Sequence, residues 1–137
     1  MSNPPYFDVM TLLQAEAALA LTVGGNLFGG EWGGVDAQVL CLNAPALPSE
    51  LPELVESVAV QILVRGERAG AATGSRDFDV YQRAKAITDV LLLQLDTVQI
   101  NGVPYKGFEE GSGLAPLGKD KNERFTYSMN FITWRNR

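Results

Sequence analysis

The chain has 137 residues, a formal net charge of −5, 46% apolar residues, one Cys and no His. The absence of His removes the commonest general base and the commonest zinc ligand, and a lone Cys forms neither an intramolecular disulfide nor a thiolate metal cluster. With 11 Lys and Arg against 16 Asp and Glu, the chain lacks the surplus cation needed to wrap a nucleic-acid backbone.

A chain of this length can bury about two-thirds of its unfolded surface in one core, so a single domain over 1–137 is expected. The start, Met1-Ser2-Asn3-Pro4-Pro5, carries no basic residue of the kind that opens a secretory signal. The longest apolar stretch, Ala15 to Val23, contains Glu16 and Thr22 and falls far short of the about 20 residues of a membrane span. A soluble, intracellular protein is the simplest expectation.

In chain order, Tyr6, Val9, Met10, Leu13 and Ala17 fall at helical spacing and predict a first helix over 5–18. Residues 19–23 extend it or form a short strand. The segment 24–34 holds six glycines in eleven residues, which predicts a long flexible loop carrying Phe28 and Trp32. Residues 35–42 read as a strand, with Val35, Ala37, Val39 and Cys41 on one face and Asp36, Gln38, Leu40 and Leu42 on the other. A proline-rich connection follows over 43–52. Residues 58–65 form a second strand with β-branched residues at alternate positions. A second flexible loop covers 66–76.

The second helix is predicted over 78–95, capped by Ser75 or Asp77, with Val80, Ala84, Ile87, Leu91 and Leu95 as its apolar stripe. Residues 97–100 read as a strand, and Asn101-Gly102 as a tight turn into 103–106. Phe108 to Gly113 continue a short strand and then loop. In the last element, 124–134, Phe125, Tyr127, Met129 and Phe131 alternate with Arg124, Thr126, Ser128 and Asn130. That pattern predicts a long antiparallel strand with one wet face, capable of serving as an edge. The fold class is α+β: a mainly antiparallel sheet of four to five strands with two helices on one face.

Few residues suggest chemistry. Gly113 to Asp120 has the GxxxxGK spacing of a phosphate loop, but Asp120 stands where a magnesium-binding hydroxyl is required and no helix follows. It reads as a plain Gly/Pro loop. Cys41, among apolar neighbours and with no His to activate it, reads as a small buried hydrophobe. The acidic pairs Asp77/Asp79 and Glu109/Glu110 and the trio Glu50, Glu53 and Glu56 lack the spacing of a general acid/base pair, and nothing supports a carboxylate magnesium site. No catalytic residue, cofactor or metal is therefore expected. Two features suit an interaction surface. Phe28 and Trp32 are candidate anchors that order on docking, since aromatics dominate contact energies. Of the scattered basic residues, Arg65, Arg76, Lys119 and Arg124 are candidates for ion pairs across a subunit joint; solvated surface is the plainer reading of all of them.

One ordered set of pieces resembles a known family. Val60 to Gly66 (Val-x-Ile-x-Val-Arg-Gly) precedes a helix with Tyr81 and Ala84-Lys85-Ala86-Ile87. Val103-Pro104-Tyr105, Pro116-Leu117-Gly118-Lys119-Asp120 and Asn122 to Phe131 follow. Over about 55–134 this is similar to the tail-terminator or minor capsid proteins of long-tailed bacteriophages; the 24–34 loop has no counterpart in that pattern. The resemblance implies an α+β virion protein that forms a hexameric ring on the head-proximal end of the tail tube. It also implies an end to tube polymerisation and a surface for head attachment. Its implied partners are copies of itself, the tail tube protein and a head–tail connector protein, with host cytoplasm as the site of assembly. DNA would pass through the ring, and the −5 charge suggests an acidic lumen that does not hold it. Two other readings stay open: a different head–tail joining protein, or an unrelated small enzyme or ligand-binding domain.

Overall fold

In a computed structural model, the described residues are 4–33, 38–44, 55–66, 77–94, 97–119 and 124–136. Two helices, α1 (Pro5–Ala15) and α2 (Asp77–Leu92), accompany six strands: β1 (Leu27–Gly29), β2 (Gln38–Ala44), β3 (Val55–Arg65), β4 (Val98–Ile100), β5 (Val103–Lys119) and β6 (Phe125–Asn136). They form one mixed sheet in the order β1-β2-β3-β6-β5-β4. Only β1 and β2 run parallel; all other neighbours are antiparallel. The α+β class is as expected, with one more strand than the sequence predicted.

The extra strand lies inside the glycine-rich segment. Glycine there serves geometry: Gly24 and Gly30, at φ +85° and +83°, bend the chain on either side of β1. Between them the Asn26 side chain accepts from the Thr22 N–H (2.7 Å) and donates to the Ala20 carbonyl (3.1 Å). The Val39 N–H donates to the Asn26 carbonyl at 2.8 Å, docking the segment on β2. At Gly29 a Cβ would overlap the Tyr6 ring and the Met10 sulfur, so its bare backbone lets α1 lie against β1.

Helix α1 is three residues shorter than predicted. Pro5 occupies its first turn. It ends at Glu16 in extended geometry, and a 3-10 turn (Ala17–Leu19) closes on Ala20 at φ +52°. Helix α2 matches its prediction closely: Val80, Ala84, Ile87 and Leu91 are buried. Ser75 and Leu95 lie outside the described residues, as do Val35–Ala37, most of the 43–52 connection, and the 66–76 loop beyond Gly66.

The alternation along β6 assigns the two faces of the sheet. Tyr127, Met129, Phe131, Thr133 and Arg135 face the helices and are buried. Asp77 and Tyr81 of α2 meet Tyr127, Thr88 meets Met129, and Asp8 of α1 meets Arg135. Both helices therefore cover one face, as predicted. Val39, Cys41, Val60, Ile62 and Val64 complete this core, each at most 1% exposed.

Three expectations are corrected. Strand β6 is interior, paired to β3 over Val55–Arg65 and to β5 on its other side, so it offers no edge. The stretch 103–119 is one strand rather than a short strand and loops. Irregular register between Tyr105 and Phe108, and at three further points up to Gly118, absorbs its glycines and Pro116. Pro116 is tolerated because, among the described residues, β4 pairs only with residues 103–105 and no ladder runs along the outer side of β5 at Pro116. The GxxxxGK stretch thus lies in β5, as neither phosphate loop nor plain loop.

Arg135, expected among solvated basic residues, is buried at 6% exposure. It belongs to a polar cluster that links α1 to the β-meander. Asp8 accepts from Asn101 Nδ2 at 2.7 Å and from the Tyr105 hydroxyl, and Arg135 Nη1 lies 3.8 Å from Asp8 Oδ2 and 3.2 Å from the Tyr105 oxygen. Burial, and then its hydrogen bond to Asp8, pushes the Tyr105 hydroxyl far above the usual phenol range.

Cys41 is fully buried, and burial pushes its thiol up to about 12. A thiolate-directed reagent is expected to leave the native protein unlabelled at neutral pH and to label one site per chain after unfolding in urea. Mass spectrometry before and after unfolding measures this.

Candidate functional site

The helix-free face of the sheet carries the side chains that alternate with the core. Leu40, Ala59 and Ser128 are buried at its centre, while Leu63, Thr126, Asn130, Ile132 and Trp134 are half-buried. Phe28 is in register with Leu40 and shares this face. Residues 30–33 turn across one end of it. The Gln38 side-chain amide, completely buried, accepts from the Gly33 N–H at 2.7 Å and donates to the Gly33 carbonyl at 3.2 Å. A Cβ at Gly33 would overlap the Phe28 ring, so that ring and the Gln38 clamp fix the segment from two sides.

This clamp places Trp32 next to Arg65, the last residue of β3. The guanidinium lies 4.1 Å from the indole centroid, a cation–π stack on a 9% exposed Arg. Beside the stack opens a cleft of about 250 Å³ lined by Trp32, Leu63, Arg65, Leu117, Lys119 and Thr126. Lys119 ends β5, with its ammonium 5.0 Å from the Phe125 ring. The walls are aromatic and aliphatic, and among the described residues the two charged ones that line it are both cations, each already engaged: Arg65 on Trp32 and Lys119 over Phe125. Such a cleft suits an apolar group.

Of the residues singled out in the sequence, the fold brings Trp32, Arg65 and Lys119 together. Phe28 is half-buried against its own subunit and supports the segment instead of projecting from it. Arg124 is half-buried just before β6, and Arg76 lies outside the described residues. Sequence reasoning missed Leu63, Leu117 and the role of Gln38. The alternation of 35–42 had placed Gln38 opposite Val39, but nothing local shows that its amide returns to Gly33.

Opposite the cleft, at the same end of the sheet, Tyr127 Oη donates to Asp77 Oδ1 at 2.7 Å. That bond, then burial, pushes the Tyr127 hydroxyl up to about 12. The folded pKa lies above the unfolded value of about 10. The contribution is therefore whole below pH about 10 and is lost as pH rises towards about 12. Tyr127→Phe is expected to flatten the fall of urea stability over that window; an unchanged slope refutes the assignment.

Among the described residues no group of three or more Cys, Asp or Glu is placed to hold a metal ion. No helix among them is long and apolar enough to cross a membrane.

No family model matches the chain, and no curated protein matches it. Solved structures show the fold. A chain from the virion of a native gene transfer agent particle superposes with TM-score 0.64 at 17% identity, covering 94% of this chain and 92% of that one. A second solved chain, which carries no descriptive name, gives TM-score 0.55 at 13% identity over 98% and 97% of the two chains.

Proposed function

We propose that this chain is a structural virion protein that closes as a ring on the head-proximal end of a bacteriophage tail tube. There it ends tube growth and offers the surface to which the head attaches. The observation that carries this reading is the end-to-end likeness of its fold to a chain of a gene transfer agent virion. The order of motifs from Val60 to Phe131, similar to that of tail-terminator proteins, supports that role among virion proteins.

The surface chemistry supports assembly over turnover. Among the described residues, the cleft at Trp32, Arg65 and Lys119 is walled by apolar groups and two cations, and no carboxylate or thiol lines it. Ring closure requires two different complementary surfaces on each copy. The two faces of this sheet, one covered by helices and one free of helix among the described residues, differ in that way. A net charge of −5 suits a ring through which DNA passes without being held.

Electron microscopy of the purified protein mixed with tail tubes tests the reading. Six-fold rings seated on tube ends are expected. Twelve-fold rings at the portal would transfer the protein to the other head–tail joining class, and substrate turnover abolished by one change in the cleft would overturn a structural role. Trp32→Ala is expected to reduce ring occupancy on tubes, and unchanged occupancy excludes Trp32 as an anchor.

A further inference from the structure

We propose that Asn101-Gly102 is a site of spontaneous deamidation, with the Gly102 backbone nitrogen as nucleophile and water as second reactant, and that the docking of α1 holds it shut.

Asn101 is the one asparagine in the sequence that is followed by glycine. Asparagine is among the heat-labile residues, and its loss begins when the next backbone nitrogen reaches the side-chain carbonyl carbon. A side chain on that next residue hinders the approach, and glycine has none. Here the approach is open: both residues are exposed, and a Cβ built on Gly102 would meet nothing within 4 Å. In the reaction the Gly102 nitrogen forms a bond to Asn101 Cγ and gives up its proton, the Cγ–Nδ2 bond breaks, and ammonia leaves with that proton. Water then opens the cyclic imide at either carbonyl, so that Asn101 becomes aspartate or isoaspartate. Neither oxidant nor reductant enters the balance.

What opposes the reaction is α1. Each hydrogen of the Asn101 amide is taken: Nδ2 donates to Asp8 Oδ1 at 2.7 Å and to Thr11 Oγ1 at 3.1 Å. Both acceptors are themselves fixed. Asp8 is fully buried and accepts from the Tyr105 hydroxyl on its other oxygen. The Thr11 hydroxyl donates to the Phe7 carbonyl at 3.1 Å, which leaves its lone pairs to accept from Asn101. Freeing the carboxamide to turn towards the Gly102 nitrogen means breaking both bonds. The reaction therefore waits on a local opening between α1 and the turn that joins β4 to β5.

Loss of Asn101 in the full chain, incubated at mildly alkaline pH and followed by peptide mapping with enzymatic detection of isoaspartate, measures the gate. The chain unfolded in guanidinium chloride is expected to lose Asn101 faster than any other asparagine. The native protein is expected to lose it about tenfold more slowly or less, the factor that one charge-assisted hydrogen bond supplies. Thr11→Val keeps the shape of the side chain and removes one acceptor, and it is expected to speed the native reaction severalfold. Asp8→Ala is expected to speed it further; if that variant unfolds in buffer, Thr11→Val and the unfolded chain carry the comparison. Equal rates in the native and unfolded chains overturn the gate, as does a folded Thr11→Val that keeps the native rate. An unfolded chain that loses Asn101 no faster than its other asparagines overturns the site itself.

Discussion

Asp8→Ala is expected to lower the unfolding free energy by about 3–5 kcal/mol, the usual cost of breaking a buried ion pair from one side. Asp8 is completely inaccessible, and Arg135 is only 6% exposed. Truncation removes the acceptor for Asn101 and for the Tyr105 hydroxyl, and it withdraws one carboxylate from beside a buried guanidinium. Urea unfolding followed by circular dichroism measures the loss. Because part of the cost is the loss of a carboxylate beside the Arg135 guanidinium, Asp8→Ala/Arg135→Met should recover part of it, and the double-mutant cycle should show coupling between the two. A loss below about 1 kcal/mol, in the range of exposed ion pairs, would mean that the cluster does not hold α1 in place.

Phe131→Ala should be comparably severe, again about 3–5 kcal/mol, whereas Ile132→Ala should cost much less, with no closed cavity left behind. The two residues are adjacent on β6. Phe131 is 1% exposed on the helix-covered face, while Ile132 is half-buried on the open one. The contrast tests the face assignment, because a register slip of one residue would exchange the two effects. It also bears on the proposed ring: a residue that costs little in the isolated chain but much in such an assembly would belong to its joint, and thermal unfolding of the two variants, alone and under assembling conditions, separates these contributions.

Much of this architecture is legible in the sequence because it depends on periodicity. The 3.6-residue stripe of Val80, Ala84, Ile87 and Leu91 identifies α2. The alternation of Tyr127, Met129 and Phe131 identifies a long strand and its inner face. Asn101-Gly102 announces the tight turn, and both residues do take positive φ, +51° and +78°. What stayed hidden depends on long-range pairing. Leu27–Gly29 has no alternation to read, and it becomes a strand through long-range pairing with β2, in which Asn26 accepts from Val39 and Gly30 donates to Cys41. The interior position of β6 follows from β3 and β5 both choosing it, which no local pattern encodes. The charges of Asp8 and Arg135 look like surface residues until a separation of 127 positions is closed. The candidate site was half legible: Trp32, Arg65 and Lys119 were singled out by type, but only the Gln38 clamp and the sheet register bring them together.

Asn101 has two roles at once. Its backbone makes the left-handed turn between β4 and β5, and its side-chain amide donates to Asp8 at 2.7 Å and to Thr11 Oγ1 at 3.1 Å. Replacing that amide by a carboxylate, as in Asn101→Asp, would leave the turn permitted but set a second acid beside Asp8. A change confined to one exposed side chain would thereby reach the buried cluster of Asp8, Tyr105 and Arg135.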